Sequence, residues 1–398
     1  MQKDWIQLAQ LKGLTLPAKR ELVRALGSPR AVLTADRDTL AGILRAAAGE
    51  SATATGKGAG KTPKSATKSA AKKIKIPRLT RPNVDADVTV LERIGARYIG
   101  FTDADFPPLL NQISAPPLGV FALGARELLL SPQLAVVGSR SPTPAGRRTT
   151  AQFAAALCAA GLTITSGMAR GIDGSAHRGC LDAGGRTVGV LATGIDVAYP
   201  RANADLYREI AERGLIVSEY PPGSPPRREF FPQRNRIISG LALGTLVVEA
   251  GIRSGSLITA KLAAEQGREV FAVPGSIHVA VSRGCHHLLR QGAKLVESAD
   301  DVIEEIGQFF SAAPADSAMA AAGAEARLLA QSRAVRRPPA EHDGLPPLYD
   351  LIDYAPVSMD QLIEQSGLTA DQVSHILMEL ELNGLIAAAA GGYQRLPQ

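Results

Sequence analysis

Cysteine is scarce in this chain, with three in 398 residues. Cys158, Cys180 and Cys285 are widely separated, cannot all pair, and show no CxxC spacing. Zinc and redox roles are therefore set aside, and all three read as small buried apolar side chains. Also missing is any uninterrupted apolar run of membrane-spanning length, and residues 1–13 lack an apolar stretch with a small-residue cleavage site. The expectation is a cytoplasmic protein without membrane contact. No catalytic set stands out. Asp173 and His177 sit four apart, on one helical face, with no third ligand or nucleophile, and the adjacent His286 and His287 diverge on a helix. Asp173 reads as a helix cap and the histidines as core or surface hydrogen-bonding residues. No metal, cofactor or enzymatic role is expected.

The length allows two or three domains, and 45% apolar content is ordinary for globular folds. A net charge of +6 suggests nucleic acid, but its placement qualifies that reading. Nine of the 44 basic residues fall within residues 51–84, which contain no acid, leaving 35 basic against 38 acidic residues elsewhere. Any basic site in the folded parts must be a local patch.

Residues 1–48 read as short helices broken at Gly27 and Pro29, a small SAM-like or helix-hairpin-helix-like domain without the GxG turn that grips a DNA backbone. Residues 49–81 form a basic, low-complexity linker. Its GKGAGKT places three residues between Gly56 and Gly60 where a phosphate-binding P-loop needs four, and no strand precedes it, so a nucleotide site is rejected there. The lysines could add salt-sensitive attraction to nucleic acid or be a solvated tail.

Within 82–307, apolar runs alternate with helical patterns. Strand candidates are the piece at 118–123, AVVG at 135, LTITSG at 162, TVGVLATG at 187, LIVSEY at 215, TLVVEA at 245, EVFAVPG at 269 and AKLVES at 293. Helices fit at 147–160, 174–183, 204–213, 234–243, 256–266 and 284–291. This alternation predicts an α/β fold with an extended Rossmann-like, doubly wound parallel sheet. An Ala- and Pro-rich linker at 308–344 precedes a unit at 345–398 that suggests a winged helix. Its recognition-helix candidate, 370–383, carries Asp371, Glu379 and Glu381 but no Lys or Arg, which points to protein contact rather than the major groove.

The functional signal lies in the loops after these strands. LAVVGSR at 134–140 runs a buried strand directly into Gly138, Ser139 and Arg140, a pattern suited to an anion. Taken alone, this loop is equally a tight turn with a solvated arginine. Later loops hold SGMARGIDGSAH with Arg170, GIDVAYPRAN with Arg201, SEYPPGSPPRREFFPQRNRIISG with Arg228, Phe231, Arg234 and Asn235, and GIRSGSLITAK with Ser256 and Lys261. If they converge, Arg140, Arg170, Arg201, Arg228, Arg234 and Lys261 share one cleft. So many charges suit successive backbone phosphates, and interleaved aromatics suit unstacked bases. Phe230 and Phe231 could instead be core residues beside Pro232, with several arginines paired to acids. GxGxxG is absent after the first strand of the sheet.

In order, VVGSRSPTPAG, SGMARGIDGSAH, GIDVAYPRAN, SEYPPG, FPQRNRIISGL, VVEAGIRSGSLITA, VFAVPGS and GCHHLLRQGAKLV resemble the DNA-processing protein A family (DprA, Smf) over residues 103–306. The resemblance implies an extended Rossmann fold, a homodimer through that domain, and single-stranded DNA in the cleft. It also implies a recombination mediator that protects incoming strands and loads the RecA recombinase onto them in natural transformation. Gly138, Ser139 and Arg140 would form the phosphate pocket, with Arg228 and Phe231 at the family's basic and aromatic DNA contacts; Arg201, Arg234 and Lys261 carry over less directly. The lysine-rich insert and missing N-terminal GxG depart from the family pattern. An alternative is a nucleotide-binding enzyme related to nucleoside-monophosphate phosphoribohydrolases. That group's PGGxGT loop is replaced here by RSGSLIT, and Glu249 lies upstream without an obvious acid/base partner.

Overall fold

The computed structural model describes residues 2–54, 79–307, 348–352 and 356–396. GKGAGKT, most of the expected 49–81 linker and all of the 308–344 linker lie outside the described residues.

Four helices open the chain: α1 (Gln2–Gln10), α2 (Leu16–Leu26), α3 (Pro29–Thr34) and α4 (Arg37–Ala54). Their limits follow from local chemistry. Thr15 and Ser28 accept hydrogen bonds from the first-turn amides of Ala18 and Ala31, and Gly27 closes α2 at φ 79°. These helices do not bury their apolar side chains among themselves alone. Trp5, Ile6 and Leu8 belong to one continuous apolar cluster with Tyr98, Phe121 and Val190 of the sheet. The Trp5 ring lies so close to Gly100 that a Cβ there has no room.

The central unit runs α5 (Asp85–Ile94), β1 (Arg97–Gly100), α6 (Pro108–Asn111), β2 (Gly119–Gly124), β3 (Gln133–Val137), α7 (Pro144–Ala159), β4 (Thr163–Ser166), α8 (Ile172–Asp182) and β5 (Thr187–Gly194). It continues with α9 (Ala204–Arg213), β6 (Leu215–Tyr220), α10 (Phe230–Leu241), β7 (Gly244–Val247), α11 (Ser256–Glu265), β8 (Glu269–Ala272), α12 (Arg283–Arg290), β9 (Lys294–Leu295) and α13 (Ala299–Ile306). Each strand candidate forms a strand. β1 was not anticipated, because four residues are too short to display a period.

The strand order is β1-β2-β6-β5-β4-β3-β7-β8-β9. From β6 to β9 all neighbours are parallel, whereas β1 and β2 are antiparallel additions beside β6. The chain steps outward from β3 to β6 and then returns to lay β7 against the other side of β3. Strand order therefore reverses between β3 and β7, where doubly wound folds place their ligand crevice. β3 and β5 are buried along their full length, as helix-covered parallel strands are.

Two of the three cysteines are not the unpaired apolar side chains that their spacing suggests. Cys158 on α7 and Cys180 on α8 form a disulfide, with Cα atoms 6.1 Å apart. Close helix packing brings them together: Gly179 lies against the Ala151 backbone, and Gly185 against both cysteine side chains. Cys285 is free and buried, as expected.

The C-terminal unit comprises α14 (Leu348–Leu351), α15 (Met359–Ser366), α16 (Ala370–Leu382) and the antiparallel pair β10 (Ile386–Ala389) and β11 (Gly392–Arg395). Ser358 with Gln361 and Thr369 with Gln372 form reciprocal capping boxes that start α15 and α16. Leu362, Val373, Leu377, Leu380 and Ile386 make its own small core.

Candidate functional site

The buried β3 delivers the chain to Gly138, where any Cβ would collide with Ile172 and with the Glu249 carbonyl. Backbone hydrogen bonds fasten the next residue on both sides, Ser139 N to Glu249 O at 2.6 Å and Ile172 N to Ser139 O at 3.1 Å. The loops after β3, β4 and β7 are thereby joined. Arg140 follows with an exposed side chain, its guanidinium carbon 5.7 Å from the Phe231 ring centroid. Phe231 in turn lies 5.9 Å from the ring of Tyr199, which is 43% exposed. A second row repeats the arrangement, with Arg227 5.6 Å from the Phe230 centroid and Phe230 stacked on Tyr220 at 3.9 Å. Guanidinium groups and rings thus alternate at the carboxyl ends of β3, β5 and β6. Tyr199 and Tyr220 were not singled out from sequence, although YPRAN and SEYPPG contain them.

The loop after β4 is held in one shape by groups beneath it. Met168 adopts φ 59° and Gly171 φ 81°, the latter with no space for a Cβ against Ser139 O. Asn203 Nδ2 donates to Met168 O and Ala169 O at 2.9 and 3.1 Å, while Asp173 Oδ2 accepts from Gly167 N and Ala169 N at 3.2 and 3.3 Å. Asp173 therefore braces the preceding loop, which corrects its reading as a helix cap. Arg234, expected as a cleft residue, is instead 4% exposed. It donates Nη1 to the carbonyls of Gly167 and Val190. Burial pulls its pKa down to about 10, with Asp173 opposing, and burial pushes the Asp173 carboxyl up against the pull of Arg234.

The remaining candidates divide. Arg170, on the braced loop, and Arg201 and Arg228 are exposed; like Arg140, none has a carboxylate within 4.0 Å among the described residues. Asn235 Nδ2 reaches Gly255 O at 3.4 Å and ties α10 to the loop before α11. Ser256, the first residue of α11, is 8% exposed and shares a 2.7 Å hydrogen bond with Ser254 Oγ. Lys261 faces elsewhere: it pairs with Glu265 at 3.7 Å and lines an open groove of about 760 Å³ between α11 and α12. Neither Arg140 nor Phe231 lines that groove, so its size does not make it the arginine-aromatic site. Arg236, also in the basic loop-helix stretch, is engaged by Glu219 at 2.7 Å.

His177 sits below this surface, fully buried, with Nδ1 2.7 Å from Thr187 Oγ1. Burial and the Arg234 charge depress its pKa to about 3. Because its folded-state value lies below the ordinary 6.5, its contribution is fully present above about pH 6.5 and is lost as pH falls toward about 3. His177→Gln, which cannot titrate, is expected to lose about 2 kcal/mol less stability than the wild type between pH 7.5 and pH 5 in urea titrations. Equal losses in the two proteins would contradict this assignment.

Residues 97–307 match the family profile described as DNA recombination-mediator protein A, and residues 332–392 match that of the DprA winged helix domain. The chain is similar to Protein Smf of Escherichia coli K12, 39% identical over 325 residues that cover 79% of this chain and 82% of that protein. It is also similar to DNA processing protein DprA of Streptococcus pneumoniae R6, 47% identical over 203 residues that cover 51% of this chain and 72% of that one. Among solved structures, the X-ray structure of DprA from S. pneumoniae superposes with a TM-score of 0.52 at 43% identity, covering 55% of this chain and 77% of that one.

Proposed function

The chain belongs to the DNA recombination-mediator protein A family, and on that premise we propose that it binds single-stranded DNA across the carboxyl ends of β3, β5 and β6. The observation that carries the reading is the alternation of exposed arginines with half-buried aromatic rings, with Arg140 over Phe231 and Phe231 beside the exposed Tyr199. Ring faces stack on any unpaired base and guanidinium groups take successive phosphates, which is the chemistry of sequence-tolerant strand binding. Gly138, Ser139, Arg140, Arg170, Arg201, Arg228 and Phe231 are its contacts, Asn235 and Ser256 shape the adjoining loop, and Arg234 acts from beneath.

The reading extends to a cytoplasmic, cofactor-free homodimer, associated through the Rossmann-like domain, that protects incoming strands and loads RecA in transformation. The family's description as a recombination mediator supports that role. A nucleotide hydrolase is disfavoured because the Glu249 carboxylate is engaged by Thr143, and RSGSLIT stands where PGGxGT is needed. The winged helix is assigned to protein contact. α16 exposes Asp371, Glu379 and Glu381, which repel a polyanion, beside the exposed apolar Met378 and Leu382.

Electrophoretic shifts with matched single- and double-stranded oligonucleotides over a salt series test the proposal. The full chain is expected to prefer the single strand. Arg140→Ala is expected to weaken binding about tenfold to 100-fold, the range for a charged hydrogen-bonded contact. Its salt slope should be shallower by about 0.7 for the lost phosphate. Removal of residues 345–398 should leave affinity unchanged. Equal, salt-fragile binding to both nucleic acids by both proteins would overturn the site and assign the binding to the lysine-rich segment.

A further inference from the structure

In a doubly wound fold, the N-terminus of the helix after the strand at the reversal point is a ready anion site, because its first amides have no intrahelical acceptors. Here that helix is α7, and its first turn is filled from within the chain. Glu249, two residues beyond β7, is 9% exposed. Its Oε2 accepts from Thr143 N at 2.8 Å and its Oε1 from Thr143 Oγ1 at 2.6 Å. Thr143 caps α7, and its Oγ1 also accepts from Gly146 N at 2.9 Å. A Cβ at Gly146 would lie 2.5 and 2.6 Å from the two carboxylate oxygens, so the carboxylate rests directly on the first turn.

We infer that Glu249 is a resident anion that closes the α7 N-terminus to the phosphate of free mononucleotides and is thus a specificity-determining residue. A phosphate arriving there would meet like charge and find the Thr143 amide and hydroxyl already engaged. The phosphates of a strand are left to the side chains at the surface, where several weak contacts add along the chain and a single phosphate gains little. This last step rests on the single-strand reading; the closure itself rests on the Glu249 geometry alone.

The test uses the full chain and its Glu249→Ala variant, with AMP as the solution probe and tungstate as the crystallographic one. Titration calorimetry is expected to show AMP binding at least tenfold tighter to Glu249→Ala than to the wild type. Tungstate is expected on the Thr143 amide and hydroxyl of the variant and not of the wild type. Should Glu249→Ala fail to fold, Glu249→Gln retains the shape and removes the charge, and its AMP affinity should rise above that of the wild type. Tungstate on the Thr143 amide and hydroxyl of the wild type, or AMP affinity unchanged in a folded variant, would overturn the inference. Failure of the single-strand reading shows separately, as loss of oligonucleotide preference in the wild type whatever AMP does.

Discussion

Replacing Arg234 by methionine is expected to destabilise the protein by about 2–5 kcal/mol, because two buried carbonyls lose their donor and Asp173 loses a nearby favourable charge. Arg234 is 4% exposed and Asp173 7% exposed. Asp173 holds two amides of the loop after β4, while Arg234 holds the Gly167 carbonyl of that loop and Val190 O of β5. Methionine fills much of the volume but leaves two carbonyls without donors and removes the positive charge that partly offsets the burial of Asp173. The loop carries Arg170 and abuts Ser139, so single-strand affinity should fall with stability. The double variant Arg234→Met/Asp173→Asn should be more stable than the sum of the single effects, because the uncompensated charge is gone. Urea unfolding of the four proteins measures this; a change below about 1 kcal/mol in Arg234→Met, the size of an ordinary substitution, would refute the bracing role of Arg234.

Trp5→Ala is expected to have an effect of similar size, about 3–5 kcal/mol, although residue 5 lies far along the chain from the arginine-aromatic site. The indole is 2% exposed and makes an edge-on contact with Phe101 at 5.7 Å, with Tyr98 at 6.5 Å. Arg20 completes the attachment: its guanidinium carbon is 4.0 Å from the Phe101 centroid, and it donates to Pro117 O and Asn111 Oδ1. The N-terminal helices thereby cover the antiparallel end of the sheet, so removing the indole opens a cavity inside a shared core. Trp5 is the sole tryptophan, so circular dichroism rather than fluorescence should follow the melt. A variant that loses only the N-terminal helices while the sheet melts at its original temperature would show that the two cores are independent.

Several residues singled out for the site were legible in the sequence because loops at strand ends are written locally. GSR follows a run of apolar residues, and Phe231 stands within an arginine-rich stretch. Which arginines face outward was not legible. Arg234 and Arg236 are two positions apart on α10, yet one is drawn inward by carbonyls 67 and 44 residues away and the other is engaged by Glu219. Lys261 looked like a cleft residue by its place after a strand, but its turn of α11 points it toward Glu265.

By itself, the sequence determined the alternation of strands and helices, the parallel centre of the sheet, the winged C-terminal unit and the position of the loops. Each of these follows from hydrophobic periodicity and turn residues within a short window. Only the tertiary structure decided that Cys158 meets Cys180, that Trp5 joins the sheet's core, and that Arg234 serves the loop from below. It likewise placed Glu249 on the first turn of α7, 106 residues from Thr143. The direction of a side chain depends on which distant segments pack around it, and that choice is made when the whole chain closes on its core rather than within any local pattern.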